Sequence, residues 1–209
     1  MKIPKSWHDV SVFQWQQLMD LFLKNDPWLD LETLSVGILC NLTEMEVYSL
    51  DEKTYIDILN AIKFLHEPPQ GEARRYINVN GKRYKCIYDV RNIKAARYIE
   101  AKHFGKDVVG NLHRIAASMV QPQKRQLFWH KDVKYDASKH EEYASDLLGA
   151  PITAVYGSVV FFCKVYNRSI NNLKDYLKAE MMKAGMTEQQ AEDLHQALCS
   201  FTDGITNAP

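Results

Sequence analysis

The sequence has no apolar run long enough to cross a membrane. Its most apolar stretch, residues 152–163, is a dozen residues long, whereas a membrane helix needs about 20. The amino-terminal segment does not read as a secretory signal, because Lys5, His8, Asp9 and Gln14 interrupt its apolar residues and such a signal needs an unbroken apolar core. We therefore expect a protein of the cytosol or of a particle interior, with no membrane contact.

Signatures of catalysis and of metal binding are missing as well. There is no Gly-x-Ser-x-Gly, no glycine-rich phosphate loop, and no histidine pair at His-Glu-x-x-His spacing. Cys40, Cys86, Cys163 and Cys199 are far apart and form no Cys-x-x-Cys pair, so reduced core thiols are expected rather than a zinc site or a disulfide framework. The sequence predicts no enzyme, no catalytic residue, no metal site and no cofactor.

Glycine and proline are too scarce for a fibrous or low-complexity chain, at 9 and 7 in 209 residues. A chain of this length can bury a sizeable core. The clearest break is Pro68-Pro69-Gln70-Gly71. It suggests an amino-terminal helical subdomain over residues 1–67 and a hairpin plus helical subdomain over residues 72–209, although a single continuous domain is also open.

Helix signals dominate on both sides of that break. Capping boxes are predicted at Ser11-x-x-Gln14, Thr43-x-x-Glu46, Ser138-x-x-Glu141 and Thr187-x-x-Gln190. Apolar spacing predicts helices over residues 31–40, 93–104 and 108–120, and a long one from Pro151 to about residue 180. That last helix is apolar around most of its circumference, as in a core element or half of an assembly interface. The prediction is a mainly α protein, a helical bundle of about seven to nine helices.

One β-hairpin is predicted within the helices, over about residues 74–88. Asn80-Gly81 lies between two runs rich in Tyr, Ile and Val, which is a strong hairpin signal. Pairing around this turn places Ile77 opposite Tyr84 and Asn78 opposite Arg83. One face is then apolar and must pack on helices, and the other is basic. Residues 121–136 lack periodicity and are predicted to be an exposed loop.

The net charge of zero hides two opposed blocks. Residues 1–62 balance to −6 and residues 74–106 to +8. The candidate contact residues for nucleic acid or an acidic partner are Arg74, Arg75, Lys82, Arg83 and Lys85, interleaved with tyrosines. The same charges could instead protect a solvated hairpin edge. A third interpretation is a head-to-tail contact with the acidic block of another copy, which closes into a ring or extends as a filament.

Two tryptophans flank the start of the first predicted helix. Trp15 has helical spacing with the apolar residues that follow it, whereas Trp7 lies in an extended segment before the helix. We expect both to be core anchors, with Trp7 the more exposed of the two and a candidate aromatic contact for a partner.

Four stretches together resemble a group of uncharacterised phage morphogenesis proteins, particularly of phages that infect Bacteroidetes. They are Ile3-Pro4-x-Ser6-Trp7-x-Asp9-Val10, Val79-Asn80-Gly81-Lys82-x-Tyr84, Asn111-Leu112-His113-Arg114-Ile115 followed by Pro122, and Pro151 through Phe162. Members of this group are similar to tail assembly chaperones in size, helical character and gene context. The resemblance implies a non-enzymatic protein that binds a phage structural protein in the host cytoplasm, and it transfers no site residue.

The basic hairpin departs from that resemblance, because it is richer in Lys and Arg than a chaperone requires. An alternative function is therefore a structural virion component, such as a head–tail connector or ring subunit, with the hairpin near DNA. A second alternative is a nucleic-acid-binding module. The expected partners are phage structural proteins or further copies in a ring, with nucleic acid secondary and no membrane.

Overall fold

The structure, a computed structural model, describes residues 1–24, 30–89, 95–127 and 129–165, the side chains at 95, 96, 98, 99 and 102 excepted. The helices are α1 (Val12–Leu23), α2 (Leu31–Cys40), α3 (Glu44–Tyr48), α4 (Glu52–Ala61), α5 (Ala95–Phe104), α6 (Val108–Met119) and α7 (His140–Leu148), and residues 152–165 are helical (α8). The strands are β1 (Tyr76–Val79), β2 (Lys82–Cys86), β3 (Val120–Arg125) and β4 (His130–Asp132). Short 3-10 turns cover Trp7–Asp9, Ile62–His66 and Ala137–Lys139.

This architecture confirms the predicted fold class, a mainly α protein with an inserted hairpin. None of the helices described here is long and apolar enough to span a bilayer. The box at Thr187, the thiol of Cys199 and the far part of the helix that starts after Pro151 lie outside the described residues.

Two of the predicted capping boxes are present. Ser11 Oγ accepts from the Gln14 backbone N–H, and Gln14 Oε1 accepts from the Ser11 N–H; Thr43 and Glu46 repeat this arrangement. Gln14 Nε2 also donates to the carbonyl of Leu39 (3.2 Å), which joins α1 to the end of α2.

The capping box predicted at Ser138 is wrong. Ser138 donates both its backbone N–H and its hydroxyl to Asp136 Oδ1, so the aspartate caps a 3-10 turn there. The regular helix α7 starts only at His140, and its N-cap residue, Lys139, makes no side-chain capping bond. Asp136, two residues upstream, therefore takes the hydrogen bonds of Ser138 in place of the predicted capping box. Short polar side chains commonly make such local hydrogen bonds in turns.

The predicted hairpin forms in the predicted register. Ile77 pairs with Tyr84 and Asn78 with Arg83. Asn80 and Gly81 both have positive φ, 50° and 73°, the conformation that an Asn-Gly turn supplies at low cost.

The predicted exposed loop over residues 121–136 is wrong, because β3 and β4 lie within it. The four strands form one antiparallel sheet in the order β1-β2-β3-β4. Cys86 pairs with Val120 and Arg83 with Gln123, and Gln123 pairs in turn with Asp132. The free edge of β2 thus acquires a partner strand, which satisfies backbone groups that a lone hairpin would leave to water.

The core joins both ends of the described chain. Val12 N donates to the carbonyl of Ala150 (2.9 Å), and Ile152 N donates to that of Val10 (2.9 Å). A single hydrophobic cluster includes α1, α2, α6, α7, the sheet and α8. Val155 and Val159 are buried, so α8 uses one face as a core element. These contacts cross the Pro68–Gly71 break, and the division into residues 1–67 and 72–209 stays a prediction.

Trp7 is a buried core anchor, as predicted, and the partial exposure expected of a partner contact is absent. Its exposed fraction is 8 %, its Nε1 donates to the carbonyl of Glu67 (2.8 Å), and its ring meets that of Phe64 edge to face. The tryptophan therefore anchors the segment before α1 against the turn that follows α4. Trp15 is a core anchor, as predicted, at 5 % exposed, and the described cysteines are free thiols.

His113 on α6 is held in its neutral form by its surroundings. Its Nδ1 lies 3.2 Å from Gln16 Nε2, and an amide nitrogen can only donate, which favours an unprotonated Nδ1. Burial, and then the charge of Arg114, lower the pKa of His113 below its ordinary value of 6.5.

We expect the free energy of unfolding to decrease as the pH falls below about 6.5. The unfolded chain binds a proton at His113 in that range and the folded chain resists it, so acid favours unfolding. His113→Gln should flatten this part of the profile, measured by urea denaturation between about pH 7.5 and 5. Equal slopes in the wild type and in His113→Gln would contradict the assignment.

Candidate binding surface on the sheet

The sheet has an inner face in the core and an outer face open to solvent. Ile77, Val79, Tyr84 and Cys86 are buried on the inner face. Because side chains alternate along a strand, the residues between them point outward. The strand registers align these outer residues in rows: Tyr76–Lys85–Gln121, Asn78–Arg83–Gln123–Asp132, and Arg125–His130.

Lys82 lies on the inner side and clamps the hairpin to α7. Its Nζ is 2.7 Å from Asp146 Oδ2 and 3.2 Å from Glu142 Oε1. The hydroxyl of buried Tyr84 donates to the same Asp146 oxygen. Burial and then this hydrogen bond raise the pKa of Tyr84, so the hydroxyl stays protonated and donating. Lys82 is thus committed to an internal ion pair.

Lys85 is on the outer face and is also paired. Its Nζ lies 2.7 Å from Asp132 Oδ2, and Gln123 Nε2 donates to Asp132 Oδ1 (2.6 Å). These contacts lower the pKa of Asp132. The pair joins β2 to β4 across β3 and removes one predicted cation from those that can meet a partner.

Arg83 is one of the predicted cations that stay available. Its guanidinium stacks 3.8 Å from the ring centroid of Tyr76, and its Nη1 lies 3.4 Å from His130 Nδ1. No carboxylate in the described ranges pairs with it. Its Nε and the neighbouring Gln123 Oε1 are buried atoms without a hydrogen-bond partner among the described residues, and each has unused hydrogen-bonding capacity.

Arg74 and Arg75 lie at the start of the hairpin and are exposed. Arg75 extends its guanidinium toward Tyr76, at 5.4 Å from the ring centroid. Arg74 contributes backbone contacts, since its N–H donates to Ser158 Oγ (3.1 Å) and its carbonyl accepts from Tyr88 (2.7 Å). The structure therefore separates the five predicted residues into two ion-paired lysines and three arginines, of which Arg83 is on the outer face and Arg74 and Arg75 are exposed at the start of the hairpin.

A groove of about 540 Å³ lies beside Arg83 on the outer face. The residues that give it its chemistry are Arg83, Gln123, Arg125, Trp129 and His130. Trp129 is 60 % exposed. A planar guanidinium beside an aromatic ring suits binding of carboxylates or phosphates, so this groove can bind an anionic group.

The sequence interpretation missed the second half of this surface. Arg125, Trp129 and His130 lie in the segment predicted to be a loop. No sequence motif reveals β3 and β4, but a physical argument could have indicated them. A two-stranded hairpin is marginal in water, so β2 needed a neighbouring strand. No glycine or asparagine marks the turn between β3 and β4, which is why the second hairpin escapes recognition by turn chemistry.

In the ranges that the structure describes, no cluster of three or more His, Cys, Asp or Glu could hold a metal ion. Searches against protein-family models, curated proteins and solved structures found no match for this chain.

Proposed function

We propose that this protein is a non-enzymatic assembly protein of a phage and that it acts by binding a partner through the outer face of its sheet. The observation that carries the proposal is the groove beside Arg83. No carboxylate of the described residues neutralises Arg83 or Arg125, and Trp129 presents apolar area to solvent.

An acidic protein is the partner that this surface suits best. Arg and Trp are the residue types most enriched at energetic centres of protein interfaces, and both lie in one groove. Two of the five predicted cations, Lys82 and Lys85, form ion pairs within the molecule. Fewer cations are then available to contact the phosphates of a nucleic acid. A tail-assembly chaperone-like role rests on the resemblance described above, and a connector or ring subunit is the alternative.

Nucleic-acid binding is a second candidate that one observation favours. The stacked pair of Tyr76 and Arg83 beside exposed Trp129 resembles the alternation of aromatic faces and cations on which single-stranded bases stack. Such binding would weaken steeply with salt. The phage-assembly role itself draws on the resemblance, and some of its matching residues are architectural: the carbonyl of Val10 accepts from Ile152 N, and Tyr84 is buried in the core.

We expect Arg125→Glu combined with Trp129→Ala to reduce the yield of infectious particles about ten-fold or more in the phage that encodes the chain. The double change reverses charge and removes apolar area inside the groove, while both side chains are exposed, so the fold should survive. Circular dichroism and thermal denaturation of the purified variant check the fold, and plaque counts measure the yield.

The matched control is Lys124→Glu, which makes a change of the same sign on the neighbouring residue, outside the groove. An equal loss with this control would show that net charge, and not the groove, is responsible. Mass spectrometry of purified particles then separates the roles: a fixed copy number supports a ring or connector subunit, and absence supports a chaperone. Unchanged yield with both variants would overturn the proposed contact surface.

A further inference from the structure

The turn between β3 and β4 is apolar, which is unusual for a hairpin turn in solvent. Its described residues are Gln126, Leu127 and Trp129, and Gln126 N donates to the carbonyl of Trp129 (2.7 Å). Exposed turns are normally built from Gly, Pro, Asn, Asp and Ser. Leu127 is 84 % exposed and Trp129 60 %. We call the surface formed by Gln126, Leu127 and Trp129 the apolar turn.

Positive charge surrounds the apolar turn. The flanking residues Lys124, Arg125, His130 and Lys131 are all exposed. Over residues 120–135 there are four Lys or Arg against the single carboxylate of Asp132, and that carboxylate is paired with Lys85. A partner surface for this turn should therefore offer an apolar recess with negative charge around it.

The chain itself has such a recess on its helical side. A groove of about 610 Å³ is lined by Phe22 of α1, Leu31 of α2, Ile56 and Leu59 of α4, and Leu65 of the turn that follows. We call it the helical groove. Phe22, Leu31 and Ile56 are 37 %, 42 % and 47 % exposed. Its volume falls in the range of about 300–1,000 Å³ that encloses compact apolar groups.

The chain segment that contributes most of the helical groove is acidic. Residues 30–62 carry seven carboxylates against Lys53 alone, a balance of −6. They are Asp30, Glu32, Glu44, Glu46, Asp51, Glu52 and Asp57, all exposed. No ion pair within the described residues neutralises them. Glu32 lines the groove directly, as do Lys63 and His66, and Glu52 lies one helical turn from Ile56.

We propose that the apolar turn of one copy inserts into the helical groove of another, so that the protein associates head to tail. Both surfaces are exposed in one molecule, so neither covers the other within it. The apolar turn projects and has positive charge around it, whereas the helical groove is a recess in an acidic segment, so the two are complementary. Two different patches in contact generate a ring or an open filament rather than a closed dimer. The inference rests on the proposed function in one respect: it identifies the partner of the sheet surface as a second copy of the chain.

The first test is sedimentation of the full chain over a range of protein concentrations at low and high salt, about 50 and 500 mM. We expect oligomers at low salt and weaker association at high salt, because opposed charges steer the contact. Trp129→Ala on the turn and Ile56→Asp in the groove should each weaken association about 30-fold or more. Met45→Asp is the control, since Met45 is 76 % exposed in the same acidic segment and does not line the groove.

The decisive test mixes the two defective variants. Trp129→Ala retains an intact groove and Ile56→Asp retains an intact turn, so the mixture should form a one-to-one dimer and nothing larger. A symmetric contact of turn with turn, or of groove with groove, would not give this result. Wild-type chain that stays monomeric at all concentrations, or a mixture that stays monomeric, would overturn the inference.

Nucleic acid is the competing occupant of the basic surface, and the same proteins test for it. A labelled single-stranded oligonucleotide of about 20 nucleotides that binds wild type but not Arg125→Glu, with no self-association, would replace the second copy as the partner. Failure of the inference can be distinguished from failure of the proposed function. If the chain is monomeric and the Arg125→Glu/Trp129→Ala variant still lowers particle yield, the contact surface is supported and only the self-association is rejected.

Discussion

Replacing Gly157 by alanine should destabilise the fold by about 3 kcal/mol, although the same change in a helix interior is normally stabilising by about 1 kcal/mol. A Cβ at this position in α8 would lie 2.4 Å from the carbonyl carbon and oxygen of Gly71 and 2.8 Å from the carbonyl oxygen of Glu72. The obstacle is backbone, which cannot rotate away as the end of a side chain can.

The crossing segment has little room to withdraw. A Cβ on Gly71 would itself meet the carbonyl oxygen of Thr153 at 2.0 Å, so the segment lies directly on α8. Three residues later, Arg74 N donates to Ser158 Oγ (3.1 Å), which fixes the segment just before β1. A displaced segment would therefore pull on the first strand of the sheet and on the contact surface that the sheet carries.

Urea denaturation of Gly157→Ala measures this effect, with Gly149→Ala as the matched control. Gly149 caps the end of α7, and an added Cβ would have no neighbour closer than 3.5 Å, which is ordinary contact. We expect the control to stay within about 0.5 kcal/mol of wild type. A stable Gly157→Ala protein would mean that residues 71–74 do not pack on α8 as described.

The sequence predicts those parts of the fold whose signals are local. The register of the first hairpin follows from Asn80-Gly81, because both turn residues must take positive φ, and the box at Ser11 needs only its neighbour three residues on. Residues 120–135 carry no such signal. Their strand pairing depends on the edge of β2, about 35 residues earlier in the chain, and a non-local partner cannot be seen in a local pattern.

The sequence predicts the chemical character of the candidate site, but only some of the residues that form it. A basic, tyrosine-rich hairpin indicated an anion-binding face, and Arg83 is on that face. The sequence could not show that Lys82 and Lys85 would meet Asp146 and Asp132, because ion pairs are set by how distant elements pack. Trp7 illustrates the same limit: its burial depends on Phe64, which the long chain segment between them brings back to it.

The second large effect is expected at Asp146, whose removal should show that Lys82 is part of the fold. Asp146→Ala leaves the hydroxyl of Tyr84 buried without its acceptor and deprives Lys82 of the closer of its two carboxylates. Because the lost hydrogen bonds involve a charged group with a side chain only 14 % exposed, we expect a loss of about 2–3 kcal/mol in the free energy of unfolding.

Two further variants separate the tyrosine from the lysine. Glu142→Ala removes the other carboxylate near Lys82, and since that side chain is 54 % exposed the cost should stay below about 0.5 kcal/mol. Tyr84→Phe combined with Asp146→Ala should cost less than the sum of the single changes, because the two residues share one hydrogen bond. Strict additivity would mean that Tyr84 and Asp146 do not interact.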